Sequence, residues 1–273
     1  MRPEAMLAEG ALGRDVGPAL ARYRAEGYAP LGRVASDEAL AALRARADDL
    51  MLGRVAYPGL FFQKDANTGS YDDLPYGRGY EGPSLDYRKV EKLELDPLFF
   101  AYLNNPLFAR LARALAPGGV SVYRATLFTK PAAGGSPLPW HQDDGRFWGI
   151  DRPPVLQIWT ALDDAPPEAG CVEALPGSHL AGLATPMGGL VPKARVAERG
   201  AREGVLLGAR AGEAYLLHNH LWHRSGVNRT GRARRAFTVC YLEAETRCLR
   251  KRRQPRQFVR AFEGPEPGPA SNC

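Results

Sequence analysis

Apolar positions at helical spacing appear early in the chain: Val16, Leu20 and Tyr23, with Gly27 as a stop, predict a short helix after Asp15. Residues 28–34 then read as a strand, while the first dozen residues show no period and are expected to fray. Ser36 followed by Asp37 and Glu38 sets an oxygen cap and two carboxylates at the positive end of a helix dipole; Leu40, Leu43, Ala47, Leu50 and Met51 supply the buried stripe. Asp96-Pro97 and Asn105-Pro106 start two more helices by one device, a capping oxygen followed by proline at the first helical position, and Gly118-Gly119 closes the second. Beyond this point the period changes from helix to strand. Short apolar or β-branched runs at 120–128, 155–162, 171–175, 205–207, 214–217, 221–223 and 236–242 are separated by Gly, Pro and Asp turns.

Strands this dense, without alternating helices, indicate a sandwich or jelly roll under helical cover, a mainly β (α+β) class. Residues 53–86 break the regularity with Gly, Pro, Asp and Asn punctuated by Tyr57, Phe61, Phe62, Tyr71, Tyr76 and Tyr80. A long aperiodic loop so rich in aromatics is either a lid or substrate wall, or an Ω-like loop packed by its own rings. The chain therefore divides into residues 1–118 (helices and loop), 119–243 (β core) and 244–273 (a basic, Pro-rich tail). At 273 residues and 45% hydrophobic, these parts read as one domain.

The net charge of +6 changes this picture little, because it is concentrated between residues 245 and 260, where Arg247, Arg250, Lys251, Arg252, Arg253, Arg256 and Arg260 outnumber one acidic residue. Such a run is read as a solvated face or an anion-steering patch rather than a nucleic-acid site. No apolar run approaches the roughly 20 residues of a membrane span, and the first residues resemble neither a signal nor a transit peptide, so a cytoplasmic location is expected. Cys171, Cys240, Cys248 and Cys273 show no metal or redox spacing and are expected to be reduced. Oligomeric state is not legible.

The chemistry centres on Pro139-Trp140-His141-Gln142-Asp143-Asp144-Gly145. In an extended segment His141 and Asp143 project to one side, so both can hold one metal ion. His223, 82 residues downstream, supplies a third ligand. Two histidines and a carboxylate on one face of an octahedral ion leave three positions open, which suits ferrous iron; zinc with a catalytic water is the competing occupant. Of the two residues flanking Asp143, one of Gln142 and Asp144 is expected to orient a ligand or substrate and the other to face solvent. The arginines between Asn228 and Ala236 then offer a bidentate partner for the distal carboxylate of a dicarboxylate cosubstrate.

With His141-Gln142-Asp143, Trp159-Thr160-Ala161, the run from Gly170 to His179, and His223-Arg224-Ser225-Gly226 through Asn228 to Arg234, the sequence resembles the phytanoyl-CoA dioxygenase family of iron(II)- and 2-oxoglutarate-dependent oxygenases. The stretches Val90-Glu91-Lys92-Leu93 and 126–131 match more weakly. The resemblance implies a double-stranded β-helix (a cupin-like jelly roll), iron held by His141, Asp143 and His223, and the far carboxylate of 2-oxoglutarate on Arg234. It also implies that Ser225, Trp159, Thr126 and Lys92 line the cosubstrate pocket, and that a small molecule is hydroxylated with dioxygen, releasing succinate and CO2. A zinc-dependent hydrolase and a non-catalytic binding protein on the same barrel are the alternatives. His218, His220 and His179 are read as structural, and Arg232 and Arg235 as exposed or paired.

Overall fold

The computed structural model describes residues 1–66, 68–132, 134–198, 204–251 and 256–263. Helix α1 (Gly17–Glu26) ends on Gly27, whose φ of 84° is reached cheaply by glycine, and leads into β1 (Tyr28–Arg33). Helix α2 (Asp37–Met51) is capped by Ser36, whose side chain accepts from the Ala39 N–H. Strands β2 (Phe61–Lys64) and β3 (Tyr87–Glu91) pair with each other, so the aperiodic region 53–86 contains a strand that periodicity does not reveal. Helices α3 (Pro97–Leu103) and α4 (Pro106–Leu115) begin on the two expected caps, Asp96 and Asn105.

The β core follows as β4 (Gly119–Lys130), β5 (Leu138–Gln142), β6 (Leu156–Ala161), β7 (Val172–Ala174), β8 (Gly189–Leu190), a short helix α5 (Lys193–Glu198), β9 (Val205–Leu207), β10 (Glu213–Leu217), β11 (His223–Ser225), β12 (Arg234–Glu243) and β13 (Val259–Glu263). A large antiparallel sheet runs β1-β10-β6-β12-β4-β3-β2, with β13 also on β4; a smaller one runs β8-β5-β11-β7-β9. Two facing antiparallel sheets with crossed strand order make the expected jelly roll.

Alternation along the large sheet separates two environments. On one face Ile158, Phe237, Val239 and Leu127 pack against Leu43 and Leu50 of α2, Phe99 of α3 and Phe108 of α4. The Phe99 and Phe237 rings lie 5.1 Å apart, and Tyr102 donates to Thr160 Oγ1 at 3.1 Å. The opposite face, carrying Arg124, Thr126, Gln157, Trp159, Thr238 and Arg234, turns toward the small sheet. This face is polar because it lines a cavity.

Several sequence expectations need correction. The first residues are not frayed: a 3₁₀ turn at Pro3–Met6 buries Met6 fully against α2 and its neighbours. The segment after 243 is not wholly a tail, since β13 adds to the edge of β4 beside the buried Phe262. Its charges are also engaged locally: Arg247 pairs with Asp151 (2.9 Å) and Arg256 with Glu94 (3.3 Å). Arg252, Arg253 and the run Gly264-Pro265-Glu266-Pro267-Gly268-Pro269 lie outside the described residues. Cys171, Cys240 and Cys248 are free thiols, and among the described residues no helix is long and apolar enough to cross a membrane.

Asp96 ties the helical layer together. Its fully buried carboxylate accepts from the Leu98 and Phe99 N–H groups (2.8 and 3.1 Å) and pairs with Arg46 at 2.7 Å. Asp96→Ala removes a cap and strands a partly buried guanidinium, and is expected to cost about 3 kcal/mol. Urea unfolding checks this through a lowered midpoint at unchanged slope.

Candidate metal centre and cavity

His141 ends β5 and His223 begins β11, and the two are registered partners, which brings their ring centroids to 4.0 Å. Each Nδ1–H donates to a carbonyl two residues earlier, Pro139 O and Leu221 O, both at 2.9 Å. This fixes the tautomer and leaves each Nε2 with a free lone pair. Asp143 lies just past β5, where its N–H donates to Asn219 O (2.8 Å) and its carbonyl accepts from Asn219 Nδ2 (2.9 Å). One ligand atom from each of His141, Asp143 and His223 lies within 4.8 Å of the others. Two imidazole nitrogens beside a carboxylate form a donor set that fits ferrous iron.

Electrostatics hold His141 and Asp143 in ligand form. Burial and the nearby His223 push the His141 imidazole down to about 3. Burial opposes ionisation of Asp143, but the Arg124 guanidinium and the two histidines outweigh it and hold the carboxyl well below the usual carboxylate range. Arg124 donates to Asp143 Oδ1 at 3.0 Å and Gln157 to Oδ2 at 2.8 Å. Arg124 itself lies 4.6 Å over the Trp148 ring and faces Glu91. Outer partners of this kind contribute roughly 10–100-fold to metal affinity. Arg124→Gln is accordingly expected to weaken Co(II) or Fe(II) binding by about that factor, read by anaerobic titration.

The triad opens into a cavity of about 470 Å³. Arg234, Trp159, Thr126 and Ser225 all line it. Arg234 is only 3% exposed; it donates to the carbonyls of Ala169 (3.4 Å) and Gly170 (2.5 Å) and makes no ion pair with a described carboxylate. Burial lowers its pKa to about 10, which leaves it charged at neutral pH. Thr126, Thr238 and Trp159 form one registered row across β4, β12 and β6, and the buried hydroxyls of Thr126 and Thr238 have no partner. Orphaned donors facing a cavity mark where a polar ligand fits.

Lys92 is the exception among the anticipated residues. Strand β3 stops at Glu91, and Lys92 adopts φ 67° as the chain turns into a 3₁₀ segment, so it is not among the residues lining the cavity. Lys89 and Arg88, inside β3, line it instead. Neither Gln142 nor Asp144 faces solvent. Gln142 donates to Gly182 O (2.9 Å) and His220 O (2.7 Å) and accepts from Ala184 N (2.7 Å), while Asp144 meets His220 Nε2 at 2.7 Å. His218 and His179 pack together at 4.8 Å away from the cavity lining, and Arg235 pairs with Asp163 and Asp48, as expected of structural residues. The loop 53–86 contributes Tyr71, Leu74, Pro75 and Tyr76 to the cavity wall.

The family model described as phytanoyl-CoA dioxygenase (PhyH) matches residues 23–236. The chain belongs to the phytanoyl-CoA dioxygenase family. Membership makes it a non-haem iron- and 2-oxoglutarate-dependent enzyme. It is 29% identical over 260 residues to phytanoyl-CoA dioxygenase 1 of Oryza sativa subsp. japonica, covering 82% of this chain and 87% of that one. It is also 31% identical over 159 residues to phytanoyl-CoA dioxygenase domain-containing protein 1 of Bos taurus, covering 55% of this chain and about half (54%) of the bovine protein. Among solved structures, an epimerase in complex with Fe3+, alpha ketoglutarate and nogalamycin RO superimposes with a TM-score of 0.68 at 20% identity, over 94% of this chain and 98% of that one. That likeness confirms the jelly-roll fold.

Proposed function

We propose that the chain hydroxylates a small molecule, with His141, Asp143 and His223 holding ferrous iron and Arg234 holding the far carboxylate of 2-oxoglutarate. The observation that carries this reading is the meeting, in one cavity, of a metal triad and a buried guanidinium that pairs with no carboxylate among the described residues. When bound, iron and 2-oxoglutarate together convert dioxygen into an oxidant able to take a substrate hydrogen, with release of succinate and CO2.

The chain's own residues prepare that chemistry. The two histidines present Nε2 because their Nδ1–H groups are held by backbone carbonyls. Asp143 remains ionised because the Arg124 guanidinium and the two histidines outweigh its burial, and Arg124 and Gln157 fix the direction of its oxygens. Three protein ligands leave open positions on the ion for cosubstrate and oxygen. Thr126, Ser225 and Trp159 supply polar and flat surfaces beside Arg234.

The substrate is read as partly apolar and anionic. Tyr76 (85% exposed), Phe147 and Leu190 put exposed apolar surface at the cavity's rim, and Arg88 sits buried in its wall. Exposed aromatics at a cavity mouth favour an apolar ligand body. Candidate acids, amines and acyl thioesters can be screened for stimulation of succinate formation. Stimulation by partly apolar acids is expected; a panel in which amines alone stimulate contradicts the substrate reading.

A further inference from the structure

The β3 wall of the cavity holds a cation that strict strand geometry would turn away from it. Gln63 and Lys64 are consecutive on β2, yet their register partners are Lys89 and Tyr87, so Arg88 is the extra residue of a β-bulge. Alternation alone would point Arg88, like Val90, into the core that packs on the helices; a bulge re-aims the side chain, and Arg88 lines the cavity together with Lys89. It is 8% exposed. Its Nη1 donates to Gln63 Oε1 at 3.3 Å, and Gln63 Nε2 donates in turn to Pro75 O at 2.9 Å. The guanidinium carbon lies 5.9 Å from the centroid of the Tyr71 ring. Gln63 and Tyr71 thus hold the cation beside the loop residues that form the cavity wall.

Charge balance sets Arg88 apart. Of the other cations lining the cavity, Lys89 pairs with Glu91 (2.7 Å), Arg124 with Asp143 (3.0 Å) and Arg224 with Glu173 (2.7 Å). Lys130 and Arg234 are register partners and stand together at the cosubstrate end. Arg88 makes no ion pair with any carboxylate among the described residues, and its one hydrogen bond there is to the neutral Gln63. Burial lowers its pKa against the opposing pull of Asp65, Tyr71 and Glu91. The donors left over form a planar fork that matches the two oxygens of a carboxylate.

We propose that Arg88 anchors a carboxylate of the substrate, with the apolar body of the same molecule lying along Leu74, Pro75 and Tyr76. This rests on the substrate reading given above and narrows it to a free apolar carboxylic acid, as opposed to a thioester or amide in which that charge is lost. A buried guanidinium without counter-charge is costly, and one carboxylate supplies the single negative charge it lacks. The loop residues add the apolar surface that such a cavity needs to hold the rest of the molecule.

Calorimetric titration of the protein loaded with Co(II) and 2-oxoglutarate tests this with hexanoate, octanoate, phenylacetate and cinnamate, each set against its uncharged primary amide. Wild type is expected to bind at least one acid about tenfold or more tightly than its amide. Arg88→Met is expected to bring that acid level with the amide, while 2-oxoglutarate binding to the Co(II) form keeps its wild-type affinity and so reports an intact fold. Arg88→Lys, which keeps the charge without the fork, is expected to retain part of the preference, and decides the matter should the methionine variant not fold. Failure of all four acids to bind the loaded wild type, or equal weakening of acid and amide in Arg88→Met, overturns the anchor. Loss of 2-oxoglutarate affinity by a folded Arg88 variant assigns the residue to the cosubstrate and overturns it as well. A wild type that does not bind 2-oxoglutarate at all fails the parent reading instead.

Discussion

His141→Ala is expected to reduce succinate formation from 2-oxoglutarate to below about one-hundredth of the wild-type rate, since removing even an outer partner of a metal ligand costs 10–100-fold. The residue's surroundings explain why the loss is chemical rather than structural. His141 projects from a strand end into the cavity, and its backbone register with His223 and Leu190 does not depend on the ring. Among the described residues its one side-chain hydrogen bond runs from Nδ1 to Pro139 O, two residues away. The variant is therefore expected to unfold at a urea midpoint near that of the metal-free wild type. Anaerobic Fe(II) titration separates the cases: lost binding with retained folding supports the ligand role, while retained turnover removes His141 from the centre.

Arg234→Met should act differently, raising the KM for 2-oxoglutarate by about 100-fold, the equivalent of roughly 3 kcal/mol for a buried charge-assisted pair. Because among the described residues the guanidinium bonds only backbone carbonyls of the 169–170 turn, its loss leaves those carbonyls short of a donor but strands no described carboxylate. The effect should fall on KM more than on kcat, because the far carboxylate lies away from the reacting atoms. Steady-state kinetics at varied 2-oxoglutarate check this split. An unchanged KM would mean that another cation binds the cosubstrate.

Much of this arrangement is legible in the sequence, and the residues show where legibility stops. The caps Ser36, Asp96 and Asn105 act locally, within a few residues, so their helices can be read directly. His141, Asp143 and His223 are found by type and spacing, whereas among the arginines of 228–236 it is the family resemblance that singles out Arg234. Their pairing depends on β5 lying beside β11, a non-local contact that spacing allows but does not dictate. Lys92, carried over from the family resemblance, falls outside the cavity lining because β3 ends at Glu91, which local sequence does not reveal. The supports of Asp143 are long-range, with Arg124 on β4, Gln157 on β6 and Asn219 after β10. Alternation along β4 gives a signal for some of them, because Arg124, Thr126 and Lys130 share parity and all face the cavity. Strands β2 and β13 escaped because short edge strands carry little period; each is set by its partner strand.

The most direct test of the central claim is succinate formation by the purified protein given 2-oxoglutarate with Fe(II) in air, with Fe(II) under nitrogen, and with Zn(II). Succinate is expected only when iron and oxygen are both present. Turnover of any substrate with zinc in the absence of oxygen, or no succinate with iron in air across the substrate panel, contradicts the assignment.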